Sequence, residues 1–331
     1  MKSIASAPAK IILFGEHFVV HGTPAILAAI DKRVTVTTTF TDNKTIKVNS
    51  QLGTIEVPML SSHEEVKSEF RPFVYLANKM FRLCKFGNGL EITIDSDIPI
   101  GVGLGSSSAC CVAATASISR LCHPLTGGGY RKNLGMSIDA ERTIFPDTSG
   151  ADCTVCTYGG IIEYGKTSHG TVEPMGTFAT KSDIFRSNLN LLIVNSMIPH
   201  STKRSVEKVS KFKESNEGRF SQLCVLETKL IGEANHALKM LDLITLGLKM
   251  SENQKYLEEI QVSNDTLRDM ISLLKEISLG TKITGAGDGG CIIALVEDEN
   301  LDKVPTLLPK DKEYFSAKID TKGVVWSTIE E

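Results

Sequence analysis

The 331-residue sequence has no excess of either charge. Its 36 lysines and arginines stand against 39 aspartates and glutamates, so the formal net charge is −3. A broad nucleic-acid surface needs a basic surplus to displace phosphate counterions, and the composition therefore argues against one. Hydrophobic residues make up 41% of the chain, which is too many for a disordered protein. At about 100–200 residues per domain the length predicts two domains, and the charge balance favours small-molecule chemistry.

The first residues show no pattern typical of a secretion signal, and the cysteines form no regular framework. The chain reaches Glu16 and His17 after a short apolar stretch, without a cleavage-like small-residue site. The eight cysteines follow no regular spacing. These features predict a cytoplasmic protein with reduced thiols.

Three short patterns have both a chemical and a structural interpretation. A lone C-x-x-C spans 153–156, and without a second pair or a nearby histidine it fits a chance pair on a helix better than a redox or zinc site. His17 and His21 lie four residues apart but lack the H-E-x-x-H order of a zinc protease. Cys110 and Cys111 open a predicted helix, whose dipole can lower a thiol pKa, although small buried residues are the simpler interpretation.

Strand and helix patterns follow one another in an order typical of an α+β or α/β protein. Alternating β-branched residues predict strands at 11–14 and 34–40, with further short strands at 45–48, 54–57, 90–94, 161–164 and 189–194. Apolar residues at helical spacing predict helices at 64–84, 106–121, 131–144 and 151–157 and a mostly helical region over 202–279. A Gly-, Thr- and Ser-rich stretch at 165–186 predicts the boundary between two domains.

One uncharged segment, Ile98–Ser119, is 22 residues long and thus long enough for a membrane span. It begins Pro99-Ile-Gly-Val-Gly-Leu-Gly-Ser-Ser-Ser-Ala109, and serines with non-helical glycine backbone would be unsatisfied in lipid. Between a strand and a helix, such a loop points backbone N–H groups inward, and the helix N-terminus adds its positive dipole end. The segment therefore predicts a phosphate cradle, while a tight turn explains it equally well when it is taken alone.

Other residues supply the remaining parts of a phosphoryl-transfer site. The loop matches neither the P-loop nor the dinucleotide fingerprint, so it needs this support. Lys10 lies near the predicted first strand, Glu141 and Asp152 flank 149–151, and a second glycine loop occupies 282–291. Phosphoryl transfer requires a phosphate cradle, a metal held by oxygens, a cation and a base for the attacking hydroxyl. The simpler alternatives are a solvated charge for Lys10, a helix cap for Asp152 and a surface position for Glu141.

Three ordered stretches resemble the GHMP small-molecule kinases. They are PAKIILFGEHFVVHG, PIGVGLGSSSA and KITGAGDGGC, which span residues 8–291. Two more, ERTIFPDTSGAD and MSENQKYLEEIQVSNDTL, resemble the branch of that family that acts on mevalonate. The resemblance implies a two-domain α+β GHMP kinase fold. A ribosomal-protein-S5-like domain would occupy 1–175 and a ferredoxin-like α+β domain 176–331, with the active site in the cleft between them.

The resemblance also implies an activity, which is ATP- and Mg²⁺-dependent phosphorylation of the primary hydroxyl of mevalonate for isoprenoid synthesis. It is compatible with a homodimer. Sister enzymes act on phosphomevalonate, homoserine or sugars, and a nucleotide-binding regulator without catalysis is an alternative of another class. Phosphomevalonate would need an additional cationic cluster, which the sequence does not reveal. The joint presence of Lys10, Ser107, Glu141 and Asp152 argues against a regulator.

Matching positions imply a role for each site residue. Lys10 lies beside the acceptor hydroxyl and lowers its pKa, Asp152 is the general base, and Ser107 and Glu141 are Mg²⁺ ligands. The loop around the ATP phosphates comprises Pro99, Ile100, Gly101, Val102, Gly103, Leu104, Gly105, Ser106, Ser107, Ser108 and Ala109. The substrate pocket comprises Lys10, Glu16, His17, Val20, Asp152 and Thr284, the last of which opens the third motif with Gly285–Gly287.

The sequence departs from the family pattern at three places. Phe145–Thr148 replaces a common His-Gly-Asn-Pro, Cys153 replaces a usual Asn, and Ser108 replaces a common Ala. These departures bear on substrate contacts rather than on phosphoryl transfer. Asp288 in the second glycine loop is interpreted as a turn residue rather than a catalyst.

Overall fold

Two β-sheets, each covered by helices, organise the part of the chain that the computed structural model describes. That part comprises residues 2–99, 101–122, 130–166, 172–177, 189–199 and 201–329. The larger sheet contains the N-terminal strands, and the smaller sheet lies among the helices of the C-terminal half. This mixed architecture confirms the α+β fold class.

The larger sheet has the strand order β12-β1-β2-β5-β3-β4, with β6 beside β2 and β7 beside β6. Its neighbours run antiparallel except for β3 and β5, which are parallel. The strands are β1 Lys2–Phe14, β2 Ala25–Thr41, β3 Thr45–Ser50, β4 Gly53–Pro58, β5 Gly89–Ser96, β6 Ile161–Lys166, β7 Val172–Thr177 and β12 Val325–Ile329. The helices of this half are α1 Arg71–Cys84, α2 Ser106–Cys122, α3 Tyr130–Arg142 and α4 Ala151–Tyr158.

The smaller sheet has the antiparallel order β11-β8-β10-β9. Its strands are β8 Leu189–Asn195, β9 Ser278–Ile283, β10 Cys291–Glu297 and β11 Glu313–Ala317. The helices are α5 Thr202–Ser215, α6 Glu217–Met240, α7 Leu243–Glu259, α8 Asp265–Leu274 and the short α9 Val304–Leu307. α7 packs on β9, and α8 packs on β9 and β10, so helices cover this side of the smaller sheet near β9.

The uncharged segment forms a glycine loop followed by α2, which packs against β1 and β2. Ala109 and Ala113 are fully buried there, because small side chains let the helix lie close to the sheet. The Ser117 hydroxyl is also satisfied, with Ser3 O at 3.0 Å and Thr38 Oγ1 at 2.8 Å. Over the residues that the structure describes, no helix combines the length and the apolar character needed to span a membrane.

The helix predicted over 64–84 is wrong at its start. Short 3₁₀ helices occupy His63–Glu65 and Ser68–Phe70, and α1 begins only at Arg71. Pro72 lies in the first turn of α1, where its missing N–H leaves no hydrogen bond unmade. Further inside a helix the same proline would break it, and Pro72 therefore determines where α1 begins.

The end of the chain returns to the larger sheet, where β12 pairs with β1. Arg33 on β2 anchors this returning segment through an ion pair with Asp320 and a 2.7 Å hydrogen bond to Gly323 O. The predicted division at residue 175 falls within β7 and stays a prediction. The strand pairing places residues from both sides of that division in one sheet.

The contact between α7 and β9 depends on two glycines that face each other. A Cβ on Gly247 would overlap the backbone oxygen of Leu279, and a Cβ on Gly280 would overlap the backbone of Gly247. We expect Gly247→Ala to lower the free energy of unfolding by about 2 kcal/mol, because α7 must move away from β9. Urea unfolding measures the change.

The matched control is Gly232→Ala on the exposed face of α6, where an added Cβ meets no atom within 4 Å. Alanine is the better helix former, so this variant raises the free energy of unfolding by about 0.5 kcal/mol. Equal unfolding midpoints for the two variants would contradict the close packing of α7 on β9.

Candidate active site

Lys10 lies on β1 with its side chain across the glycine loop. Its backbone N–H donates to Leu104 O at 2.9 Å, and its side chain is only 6% exposed. A Cβ at Gly105 would lie 2.7 Å from Lys10 Cγ, so the absence of a side chain there makes room for the lysine. Lys10 Nζ lies 3.1 Å from Asp152 Oδ2 in the first turn of α4. The fold thus brings the predicted cation, base and loop together.

Three glycines give the loop a backbone that other residues rarely adopt. Gly101, Gly103 and Gly105 have φ angles of 75°, 83° and 74°. Ser106 then begins α2, so the positive end of the helix dipole and its free N–H groups adjoin the loop. A Cβ at Gly285 would lie 3.9 Å from Gly103 O, which shows that the two glycine loops face each other.

The other predicted loop residues anchor this backbone. Val102, Leu104 and Ala109 are buried in the core of the larger sheet, and Pro99 is half-buried. Ile100 lies outside the residues that the structure describes. Alternate residues of the loop are therefore held by packing, while the glycines between them leave the backbone accessible.

Glu141, on α3, is almost fully buried among hydrogen-bond donors. Ser108 Oγ donates to one carboxylate oxygen, Thr148 Oγ1 donates to the other at 2.6 Å, and the Cys153 thiol is a third donor. Burial, and secondarily the charge of Asp152, raises the pKa of Glu141. Each place where the sequence departs from the family pattern thus supplies a side chain that contacts this carboxylate.

Ser107 has a buried hydroxyl oxygen with no hydrogen-bond partner among the described residues. An orphaned buried hydroxyl is unfavourable, and a bound cation satisfies it. Ser107 adjoins Ser108, which contacts Glu141, so this hydroxyl and this carboxylate both belong to the surroundings of the first turn of α2. Oxygen ligands of this kind suit Mg²⁺, which completes its shell with substrate phosphates and water.

The described residues contain no group of three or more His, Cys, Asp or Glu side chains able to hold a metal ion. The C-x-x-C pair, Cys153 and Cys156, lies on α4 with both thiols free and fully buried. Burial raises the pKa of both thiols well above the ordinary value, which fits small buried residues.

The turn after β1 is held by the second glycine loop. Thr284 Oγ1 accepts a hydrogen bond from Ile12 N at 2.9 Å and donates one to Ile12 O at 3.1 Å. His17 Nε2 donates to Ala286 O at 2.9 Å, and burial lowers the pKa of His17. Val20, by contrast, is 74% exposed on the 3₁₀ helix that follows.

Asp288 lies at the far side of the same loop, in the left-handed region with a φ of 59°. Its backbone N–H donates to Val262 O at 2.8 Å, and its carboxylate pairs with Lys208 at 2.6 Å. These contacts suit the interpretation of Asp288 as a turn residue.

A buried charge cluster that the sequence analysis missed lies beneath the turn. Lys282 on β9 forms an ion pair with Glu16, and both side chains are almost completely unexposed. Glu227 on α6 accepts hydrogen bonds from Gly15 N at 3.0 Å and from Asn253 Nδ2 at 2.8 Å. Burial raises the pKa of Glu227 to about 7, and it also raises the pKa of Glu16. Burial lowers the pKa of Lys282, while its attraction to Glu16 opposes that change.

The helical spacing of α6 contains a signal for Glu227. Leu223, Leu230, Ile231 and Ala234 form the buried stripe of that helix, and Glu227 occupies a position within it. A carboxylate on the apolar face of a helix needs hydrogen-bond or ionic partners. The sequence pattern could therefore have identified Glu227 as a candidate functional residue.

A pocket of about 260 Å³ opens beside the start of α2. Its walls are largely apolar and come from α1, β5, the β3–β4 hairpin, the segment after α3 and the start of α2, which contributes Ser106 and Ser107. Its apolar lining includes Leu52, Pro72, Phe73, Ile94 and Phe145. The sequence analysis did not predict this pocket, because its walls come from segments far apart in the chain.

Comparisons with known proteins agree with this geometry. The GHMP kinase N-terminal domain family matches residues 73–160, and the GHMP kinase C-terminal family matches residues 234–305. The mevalonate kinase of Thermococcus onnurineus is 32% identical, with 98% of each chain covered. The chain belongs to the mevalonate kinases of the GHMP family.

Two solved structures show how far the likeness extends. The Methanococcus jannaschii mevalonate kinase superimposes with a TM-score of 0.81 at 25% identity, covering 96% of this chain and 98% of its own. The L. major mevalonate kinase in complex with R-mevalonate has a TM-score of 0.80 at 26% identity, covering 96% and 95%. In this GHMP kinase, the N-terminal match contains the first glycine loop, Glu141 and Asp152, and the C-terminal match contains Thr284.

The raised pKa of Glu227 predicts a pH-dependent loss of stability. The pKa is about 7 in the folded protein against an ordinary 4.5, so the folded state retains a proton that the unfolded state has lost. Stability from this group therefore falls as the pH rises from 4.5 through about 7. Glu227→Gln cannot ionise, and we expect its melting temperature, relative to wild type, to rise by a few degrees between about pH 5 and about pH 8.

Scanning calorimetry at both pH values checks this prediction. Glu233→Gln, at a half-exposed position on the same helix where the carboxylate pairs with Lys249, is the matched control and should show no such trend. If the difference between Glu227→Gln and wild type stays constant with pH, Glu227 does not titrate in this range.

Proposed function

We propose that the protein transfers the terminal phosphoryl group of ATP to the primary hydroxyl of mevalonate, giving 5-phosphomevalonate and ADP. The observation that carries the proposal is the pairing of Lys10 with Asp152, 3.1 Å apart, beside the glycine loop. The relatives described above are mevalonate kinases, and one of the solved structures contains R-mevalonate. These matches favour mevalonate over phosphomevalonate, homoserine or a sugar.

The glycine loop and the start of α2 are proposed to bind the ATP phosphates. Backbone N–H groups and the helix dipole suit their negative charge, and the loop itself contains no acidic side chain. The adjoining pocket of about 260 Å³, with its apolar walls, suits the nucleoside. Ser106 and Ser107 line this pocket and directly follow the glycine loop in the chain.

Ser107 and Glu141 are proposed to hold Mg²⁺ together with the ATP phosphates. The orphaned hydroxyl of Ser107 and the buried carboxylate of Glu141 fit this ion, as described above. When bound, the ion neutralises phosphate charge during the transfer. Ser108 and Thr148 each donate to one oxygen of Glu141, which fixes the orientation of that carboxylate.

Asp152 is proposed as the base that accepts the hydroxyl proton. Its side chain is 33% exposed, so a substrate hydroxyl can reach it, whereas Lys10 is 6% exposed and its charge is little screened by water. As the new O–P bond forms, the proton moves to an Asp152 oxygen and the terminal P–O bond to ADP breaks. Such a transition state needs positioning and charge stabilisation more than a strong base.

Glu16, His17 and Thr284 are proposed to shape the mevalonate pocket from the turn and the second glycine loop. Glu16 and His17 contact the second glycine loop, and Thr284 contacts the end of β1. The turn after β1 therefore lies against residues from the C-terminal half of the chain. Val20 remains a predicted pocket residue. The cytoplasmic location and the homodimer also stay predictions from the sequence.

A coupled ADP-release assay with mevalonate, phosphomevalonate, homoserine and galactose tests the proposal. We expect turnover with mevalonate, and Asp152→Asn should lower kcat by about a thousandfold because no base accepts the proton. Nucleotide affinity, measured by calorimetric titration, should stay nearly unchanged. Asp139→Asn, a half-buried carboxylate paired with Lys79, is the matched control and should retain kcat.

Two outcomes would contradict the proposal in different ways. Turnover of another compound with none of mevalonate would exclude the proposed substrate. Unchanged kcat in Asp152→Asn would exclude Asp152 as the base and leave the substrate assignment intact.

Removing metal provides an independent prediction. Chelation with EDTA should abolish turnover, and added Mg²⁺ should restore it. Ser107→Ala should raise the Mg²⁺ concentration for half-maximal turnover by about tenfold, because one oxygen ligand is lost. Ser119→Ala, later on the same helix, is the control; an equal Mg²⁺ requirement in both variants would remove Ser107 as a ligand.

A further inference from the structure

The buried cluster of Lys282, Glu16 and Glu227 has no part in the phosphoryl transfer described above, yet it lies beneath the turn of the proposed substrate pocket. Four elements supply it: the turn after β1, α6, β9 and, through Asn253, α7. Glu227 accepts the N–H of Gly15, the residue immediately before Glu16. Glu227 therefore contacts the turn at Gly15, and Lys282 contacts it at the next residue, Glu16.

The charges of the cluster do not balance when all of its groups are ionised. Two carboxylates, Glu16 and Glu227, share one ammonium group from Lys282, and all three side chains are buried. An unpaired buried charge is unfavourable, so retention of one proton is the stable arrangement at low pH. Because Lys282 forms its ion pair with Glu16, Glu227 is the carboxylate that retains the proton.

The remaining groups near the cluster do not supply the missing positive charge. Lys10 acts on Glu16 from the side of the active site, where it is already paired with Asp152. From its own helix and from α7, Glu227 faces the thiol of Cys224 and the hydroxyl of Tyr256, neither of which is a cation.

We propose that Glu227 is a positioning residue for substrate binding: in its protonated form it supports the Gly15–His17 turn and leaves Lys282 to Glu16. This inference rests on the proposed function, since Glu16 and His17 belong to the proposed mevalonate pocket. When Glu227 loses its proton, two carboxylates share the positive charge of Lys282. The buried cluster beneath the pocket then has a net negative charge. Mevalonate carries a carboxylate, so its affinity falls.

The effect should appear in KM more than in kcat. Lys10 and Asp152, which contact the reacting groups in the proposal, lie outside the hydrogen bonds of Glu227. We expect the KM of the wild type for mevalonate to rise roughly fivefold between about pH 6 and about pH 8, with little change in kcat. A merely structural carboxylate would give a KM that does not depend on its protonation.

Glu227→Gln removes the group that titrates but keeps an acceptor for the Gly15 N–H. The glutamine oxygen accepts the Gly15 N–H, and its amide faces Asn253, whose Oδ1 has no partner and can accept once the Asn253 amide rotates. This variant should keep a low KM across the pH range. ATP titrates equally in both assays, so the difference between the two proteins isolates Glu227.

Glu227→Leu removes the acceptor and leaves the Gly15 N–H unsatisfied, so its KM should be raised at every pH. The control Glu233→Gln, at a half-exposed position on the same helix, should follow the wild type. If Glu227→Leu does not fold, Glu227→Gln alone still decides the question.

The outcomes separate this inference from the proposed function. A wild type that turns over mevalonate with a pH-independent KM, or a Glu227→Gln variant that keeps the wild-type pH dependence, overturns the inference alone. A wild-type KM in Glu227→Leu overturns the positioning role. Absence of any mevalonate turnover in the wild type overturns the proposed function, and the inference with it.

Discussion

The active site depends on the enclosure of one turn, at the end of β1, by the second half of the chain. Phe18 from this turn is fully buried in the C-terminal core, where it stacks on Phe220 at 5.9 Å. Glu16 forms its ion pair with Lys282, and Gly15 donates to Glu227. Because apolar, ionic and backbone contacts all hold the same few residues, the two glycine loops are kept face to face. Loss of this enclosure would separate the phosphate loop from the third motif.

In that arrangement the backbone of the glycine loop and the charged side chains around it have different roles. The first glycine loop, which is proposed to bind the ATP phosphates, carries no charge of its own, and glycine at position 105 lets Lys10 lie across it. Charge therefore enters from other elements, with Lys10 from β1, Glu141 from α3 and Asp152 from α4. The donors around Glu141, which are Ser108, Thr148 and Cys153, are the residues that the sequence analysis identified as departures from the family pattern.

Local patterns predicted most elements because burial alternates along a strand and recurs every turn of a helix. Val34 and Val36 are fully buried and their threonine neighbours are half-exposed, as the alternation indicates. The prediction of a helix from residue 64 was wrong at its start. The spacing of apolar residues does not show that Pro72 must lie in the first turn of the helix. For the site, the motifs identified Lys10 and Asp152, which the fold brings into contact. The nucleoside pocket was missed because periodicity carries no information about which distant segments meet.

The sequence by itself determined the glycine loops, the helix that follows the first of them and the family to which the motifs belong, because these depend on neighbouring residues. Only the tertiary structure decided the partners of Glu16 and Glu227. The ion pair of Glu16 with Lys282 spans 266 positions, and the hydrogen bond between Glu227 and Gly15 spans 212. The pKa of a carboxyl group depends on burial and on nearby charges, and both exist only after distant segments pack together.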